Sequence, residues 1–561
     1  MVNIRRAYEV LFLGLFLFFL LITDLRYLKG WPVSFFLEAT PLVAVSTALT
    51  THTIYRNLWW GVFILGVTMM FGRVWCNWMC PFGILHHFFG FIGNRRNTKQ
   101  LIEVNRYRWW YSIKYYILAV MMVMAGAWIL PAMIAAPGEI VSAWSTDSGS
   151  VLTRPVRAVI YGFGAAADHY KEGGSNLQIG LLDPIALTVR SMTTSVLPIA
   201  HIATESIYTE PREYWYAWVV GLIFAGFLVA NWWIPRFFCR AICPLGALLG
   251  VLSRFSLWRI DRDPVRCTDC DLCLKNCEGA SDPHKDLRKS ECFVCLNCIE
   301  DCPHDALTYR FLPRKASEIT WPAVGRRQVL LAGIFGSIFF PMAKLSGGVR
   351  KNFSKYVIRP PGSVAEDEFL RRCIKCDQCI RVCPTNVLQP ALFEAGVLGL
   401  WTPIMISKMG WCELNCTLCS QVCPTGAIRE ISIAEKLGIG PFEYKGPIKT
   451  GTAFYERGRC LPWAMDTDCV VCEEVCPTSP KAIFTRNIEI TDRWGKTLQL
   501  KRPYIDPEKC IGCGICEHEC PVKDEPAVYV TAIGETRDKT RSLLLSLVED
   551  PDGSRDMVSL G

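Results

Sequence analysis

Apolar residues crowd the first half of the chain in long blocks and thin out near Arg259, where polar segments punctuated by cysteine take over. Four blocks, residues 8–25, 58–78, 115–135 and 215–233, approach the ~20 residues a helix needs to cross a bilayer core. Tryptophans sit at block edges (Trp59, Trp60, Trp109, Trp110, Trp232, Trp233), as in an interfacial belt. The first block follows a short basic start and lacks a small-residue cleavage site, so it reads as a retained span. Arg5, Arg6, Arg95, Arg96, Lys99, Arg106, Arg108, Arg236, Arg240, Arg254 and Arg259 all fall on one side of the four spans. The positive-inside rule makes that side cytoplasmic. The expected fold is an α-helical membrane bundle, four spans plus a fifth, joined to α+β modules.

The apolar half repeats itself. Residues 71–83 (FGRVWCNWMCPFG) resemble residues 235–246 (PRFFCRAICPLG), and a short Pro-containing apolar segment precedes each, at 39–46 and 182–189. Both segments look too short to span. Broken helices at matching places in two repeats often border a binding site.

Composition sharpens the picture. The chain has 561 residues, 51% of them hydrophobic, and a net charge of +8. No dense basic run with interleaved aromatics occurs, so nucleic-acid binding is not expected. The pattern divides the chain into a membrane domain (1–258), a small Cys-rich domain (259–315), a linking segment with a basic pair and an apolar run (316–351), a larger Cys-rich domain (352–533) and a polar tail (534–561).

All 28 cysteines lie in short repeated motifs. Cys267, Cys270, Cys273 and Cys277 follow C-x2-C-x2-C-x3-C, as do Cys292, Cys295, Cys298 and Cys302. The same spacing returns at Cys373, Cys376, Cys379 and Cys383, and at Cys510, Cys513, Cys516 and Cys520. Two runs have a longer first gap: Cys412, Cys416, Cys419 and Cys423, and Cys460, Cys469, Cys472 and Cys476. This is the run that binds [4Fe–4S] clusters, three cysteines holding one cubane and the fourth reaching its partner. Structural zinc prefers two separated Cys-x-x-Cys knuckles. Six clusters are expected, two in the small domain and four in the large one. In the small domain Cys302 should complete the site of the first run and Cys277 that of the second. In the large domain outer runs should pair, Cys520 joining the 373 run and Cys383 the 510 run. Inner runs should pair likewise, Cys476 joining the 412 run and Cys423 the 460 run.

Cys76 and Cys80, and Cys239 and Cys243, are spaced to share a helix face, with Pro81 and Pro244 breaking the helix. The four thiols can form one metal centre, two disulfides or four free thiols. His52, His86, His87, His169 and His201 read as interfacial rather than as haem ligands. Glu38, Glu139 and Asp183 are candidate proton acceptors or helix caps. Nicotinamide and nucleotide motifs are missing, which disfavours hydride and phosphoryl transfer.

With its C-x3-C-P pair and the cysteines from Cys267 to Cys302, the first half resembles the NapH and MauN membrane ferredoxin-type proteins. The second half resembles NapG and MauM, four-cluster ferredoxins with a twin-arginine leader, here Arg326-Arg327 before an apolar run. The resemblance implies a quinol dehydrogenase-like role: electrons pass between the quinone pool and a periplasmic redox partner, such as a cytochrome or reductase, within a larger complex in the membrane lipid. It also implies that the first Cys-rich domain is cytoplasmic and the four-cluster domain periplasmic. Here the two families are fused, and Cys277 is followed by Glu278 rather than Pro. The alternatives are a ferredoxin-to-cytochrome relay without a quinone site and a maturation or scaffold protein.

Overall fold

The computed structural model describes residues 2–22, 31–51, 55, 58–93, 96–126, 178–204, 212–285, 287–311, 322, 324–346, 357–491, 495 and 497–537. Apolar helices pack side by side, with a Cys-rich module at each end of the bundle. The helix Val2–Ile22 fixes this arrangement. Near its start Arg5 Nη1 donates to Cys295 O at 2.8 Å. Near its end Leu20 O accepts from Arg381 of the large domain. Fifteen residues of helix separate these points, about 22 Å.

Further bonds repeat the pattern. At one end Arg73 Nη1 reaches Ser290 O at 2.7 Å, and Asn105 Nδ2 reaches Leu274 O at 3.0 Å. At the other, Gln178 Nε2 reaches Leu398 O at 3.0 Å, and Asn386 Nδ2 reaches Glu213 O at 2.7 Å. Between the two modules the helix Arg326–Ser346 runs against Ile113–Ala125. Small residues permit the contact: a Cβ at Gly336 would lie 3.2 Å from Val120 O. The expected apolar run after Arg326 is thus a helix of 21 residues.

The four apolar blocks contain helices of unequal length, and none of these is by itself both long and apolar enough to cross a membrane. The second is broken at Gly72, whose φ of 82° ends Trp59–Phe71 before Val74–Trp78 begins. The third is described as Ile113–Ala125 and the fourth as Ala217–Val229. Among the described residues one run, Pro184–Ile202, is long and apolar enough by length and composition to cross a membrane, and 61% of it is buried. That run corrects the expectation that segment 182–189 is too short. Pro198 has no N–H for Thr194, and the π turn Met192–Val196 absorbs the irregularity, so helix continues to Thr204. The matching segment forms the short buried helix Pro41–Thr51.

Small antiparallel pairs close the Cys-rich modules. Trp258–Arg262 pairs with Leu307–Phe311 around the first two runs. In the large domain a bridge between Ser363 and Ile428 encloses the 373 and 412 runs. Thr452–Tyr455 pairs with Val528–Thr531 around the 460 and 510 runs. The large domain is therefore two successive two-run modules. A hairpin, Ile483–Thr491 with Thr497–Ile505, is inserted in the last one.

Candidate iron–sulfur centres

Each regular run wraps its loop in the same way. The second and fourth residues after its first cysteine are left-handed: Asp269 and Asp271, Val294 and Leu296, Lys375 and Asp377, Gly512 and Gly514. Left-handed backbone is unfavourable for a β-branched residue such as Val294 and persists only where surroundings impose it. The loop so formed turns its thiols inward. Backbone amides then point at sulfur: Ala306 N–H donates to Cys302 Sγ at 3.3 Å and Ala453 N–H to Cys510 Sγ at 3.4 Å.

Electrostatic contacts between thiols reveal the sets. Cys277 acts on Cys292, Cys295 and Cys298, as expected. In the large domain Cys423 acts on Cys373, Cys376 and Cys379, while Cys383 acts on Cys412, Cys416 and Cys419. Cys520 acts on Cys460 and Cys472, and Cys476 on Cys510 and Cys513. The expected outer–outer and inner–inner pairing is therefore wrong, and neighbouring runs exchange their fourth cysteine. The reason is the strand pairing, which closes each two-run module before the next begins.

The sets form a series. Cys513 lies in range of Cys412, and Cys412 N–H donates to Cys513 O at 2.7 Å. Tyr455 Oη sits 3.2 Å from Cys472 Sγ and also feels Cys516, so it stands between the last two sets. A cavity of about 750 Å³, lined by Trp411, His518 and Glu213 among others, opens on Cys416.

The donor chemistry fits iron–sulfur clusters. Burial pushes the Cys273 and Cys373 thiols up to about 12, and Cys292 and Cys472 to about 11. Closely packed thiols resist ionising unless a cationic core offsets their charge. Every cysteine is free of disulfide bonds. Among the described residues no three Cys, His, Asp or Glu side chains converge on one metal ion. A cubane, being larger than an ion, holds its ligands farther apart.

Cys76, Cys80, Cys239 and Cys243 are buried together in one packed core with Phe293 of the first module and Ile374 and Cys376 of the second. Two arginines lie beside them, Arg73, which the sequence did not single out, and Arg236, which it offered only as a marker of the basic side. Arg73 and Arg236 each precede the first cysteine of a C-x3-C-P motif by three residues, a signal the repeat contained. Their guanidinium groups lie 4.5 and 5.5 Å from the centroid of the Phe293 ring, whose residue follows Cys292 and precedes Cys295 in the chain. Glu278, the departure after Cys277, is buried and pairs with Arg236 at 2.5 Å and Arg5 at 3.1 Å.

Of the other singled-out residues, Asp183 is a helix cap, accepting from Ile185 N–H and Ala186 N–H at 3.0 Å each. Glu38 accepts from Ser34 Oγ at 2.7 Å. His86 Nδ1 pairs with Asn231 Oδ1 at 2.7 Å, His87 Nδ1 with Glu9 Oε2 at 3.0 Å, and His201 lies in the helix Leu197–Thr204. His52, His169 and Glu139 lie outside the described residues.

Comparison with known proteins agrees with this division. A 4Fe-4S binding domain matches residues 53–99 and 215–262, the two C-x3-C-P repeats. A 4Fe-4S dicluster domain matches residues 372–427 and 467–523, the same two-run modules that the strands enclose. The ferredoxin-type protein MauM of Methylorubrum extorquens is 34% identical over 29% of this chain and 67% of its own length. NapG of Escherichia coli is 32% identical over 31% of this chain and 69% of its own length. The putative electron transport protein YccM of Escherichia coli is 25% identical over 48% of this chain and 57% of its own length. No solved structure matches. Successive two-run modules, free buried thiols and these relatives together place the chain in the MauM and NapG family of ferredoxin-type iron–sulfur electron-transfer proteins.

Proposed function

We propose that the chain is a membrane-embedded electron conduit with six [4Fe–4S] clusters, working between the quinone pool and a periplasmic redox partner. Bound clusters supply one-electron transfer; the protein holds them and fixes their order. The observation that carries the reading is the attachment of the two Cys-rich regions to opposite ends of one helix, Val2–Ile22, through Arg5 to Cys295 O and through Leu20 O to Arg381. The connecting helix Arg326–Ser346 joins them along that bundle.

A lipid setting suits the outer surface. Phe63, Leu222, Leu330, Ile199 and Ile202 are exposed on it by 61–78%. Apolar patches of this kind need a covering medium. Arg326 and Arg327 stand at the end of the connecting helix nearer the first module, where Tyr116 Oη bonds Gln328, so the basic side is the cytoplasmic one. The quinol donor is carried over from the NapH-type resemblance of the first half.

The test is electron transfer across a sealed bilayer. Full-length protein in phospholipid vesicles, given a short-chain quinol, should reduce an impermeant acceptor trapped inside. Equal rates with and without protein contradict the conduit. Reduction of the protein by a low-potential ferredoxin but not by quinol would select the relay without a quinone site.

A further inference from the structure

Between the two modules of the large domain the chain folds a short helix, Ile433–Leu437. Ser432 starts it, its Oγ accepting from Glu435 N–H at 3.1 Å, and Gly438 ends it with a φ of 64°. Ile448 N–H donates to Lys436 O at 3.0 Å and ties the helix to the following loop. Its two sides meet different surroundings. Ile433 lines the cavity that opens on Cys416, together with Met409, Trp411 and His518. Lys436 is buried.

The Lys436 ammonium has three donors, and it finds its acceptors on one cysteine run: Glu413 O at 2.7 Å, Cys416 O at 2.7 Å and Cys412 Sγ at 3.3 Å. The carboxylates beside it are engaged elsewhere, Glu435 with Arg429 at 2.6 Å and Glu413 with Trp411 Nε1 at 3.4 Å. A buried cation is costly unless it is paired. The ligand set is the negative partner it faces. Its charge acts on Cys412, Cys416 and Cys419, against the burial that pushes those thiols up.

The other sets are served differently. Lys375, inside the 373 run, turns its ammonium to Gln178 Oε1 at 2.6 Å and Leu398 O at 3.1 Å. Cys472 and Cys476 meet the hydroxyls of Tyr455 and Thr478 at 3.2 and 3.3 Å. In the small domain Arg262 lies 3.9 Å from Cys267 Sγ, but Asp269 at 3.0 Å offsets its charge. A cation hydrogen-bonded to a ligand sulfur stabilises the form that carries one more electron, and so raises the reduction potential.

We infer that Lys436 raises the reduction potential of the centre held by Cys383, Cys412, Cys416 and Cys419, making it the electron sink of the large domain and the point from which electrons leave through the adjoining cavity. One electron arrives from a neighbouring centre and one leaves to an external one-electron carrier, with no bond made or broken. The exit role rests on the proposed conduit; the potential does not.

Potentiometric titration of anaerobically purified full-length protein tests it, each centre followed by the paramagnetic signal of its reduced form. Cys376→Ser, Cys416→Ser, Cys472→Ser and Cys516→Ser each alter one ligand set and so assign the signals of the large domain. In wild type the signal altered by Cys416→Ser should have the highest midpoint among them. Lys436→Met should lower that midpoint by a factor of about ten in the one-electron equilibrium, ~59 mV. Lys436→Arg should restore most of the shift, and the small-domain midpoints should stay in place. A different centre with the highest midpoint overturns the inference, and so does an unmoved midpoint in Lys436→Met. The wild-type order decides even if Lys436→Met fails to assemble its clusters. The titration needs neither bilayer nor quinol, so a protein that shows this order yet carries no electrons across vesicles loses the conduit reading and keeps the raised potential.

Discussion

Glu278 occupies the position after Cys277 where the other runs place proline, and its carboxylate joins Arg5 and Arg236 of the bundle to the first module. Removing one partner from a buried pair leaves the other charge uncompensated, at about 3–5 kcal/mol. Glu278→Ala should therefore lower the denaturant midpoint at which the first module loses its visible absorbance, and Glu278→Gln should do so less. Equal midpoints for all three proteins would remove this role. Glu366 shows a related device at the far end, bonded by Arg359 Nη2 at 2.5 Å and Arg537 Nη1 at 2.7 Å. Burial raises its pKa, but Arg359 and Arg537 outweigh burial and hold it at about 2. A depressed carboxylate stabilises the fold fully above its unfolded value of 4.5 and loses that contribution as pH falls toward about 2. Glu366→Gln should cost about 1–2 kcal/mol at neutral pH and flatten the acid-side loss of stability. Parallel pH profiles for variant and wild type would count against it.

At the scale of elements, the sequence made some features plain and hid others. The C-x2-C-x2-C runs were legible because their loop geometry is local: left-handed residues at fixed offsets such as Lys375 and Asp377 follow from the spacing itself. The exchange of fourth cysteines was not, because it depends on which strands meet. Thr452 pairs with Thr531, not with the start of the large domain, and that long-range choice leaves no short-range mark. The helix continuing past Val189 was missed because Arg190, Ser191, Thr193, Thr194 and Ser195 interrupt the apolar pattern there, and the fold buries all five inside the bundle. Iron counting distinguishes the two pairings. Cys373→Ala and Cys423→Ala combined should remove about four irons, as either does alone, since both hold one cluster. A loss of about eight would restore the nested pairing.

Across the whole molecule, the chain leaves the first module at Phe311 and enters the second at Val357 on the opposite end of the bundle, with Arg326–Ser346 between. A soluble relay has no need to separate its ligand sets in this way; a protein working at two faces of a membrane does. The sidedness of the second module is the central claim, and protease accessibility measures it directly. In intact spheroplasts expressing the wild-type chain, added protease should cleave the module that begins at Val357 while leaving the first module whole. Arg326→Lys/Arg327→Lys should leave the second module protected, because its export would fail. A wild-type second module that stays intact until the membrane is broken would contradict the account and leave a relay confined to the cytoplasmic face.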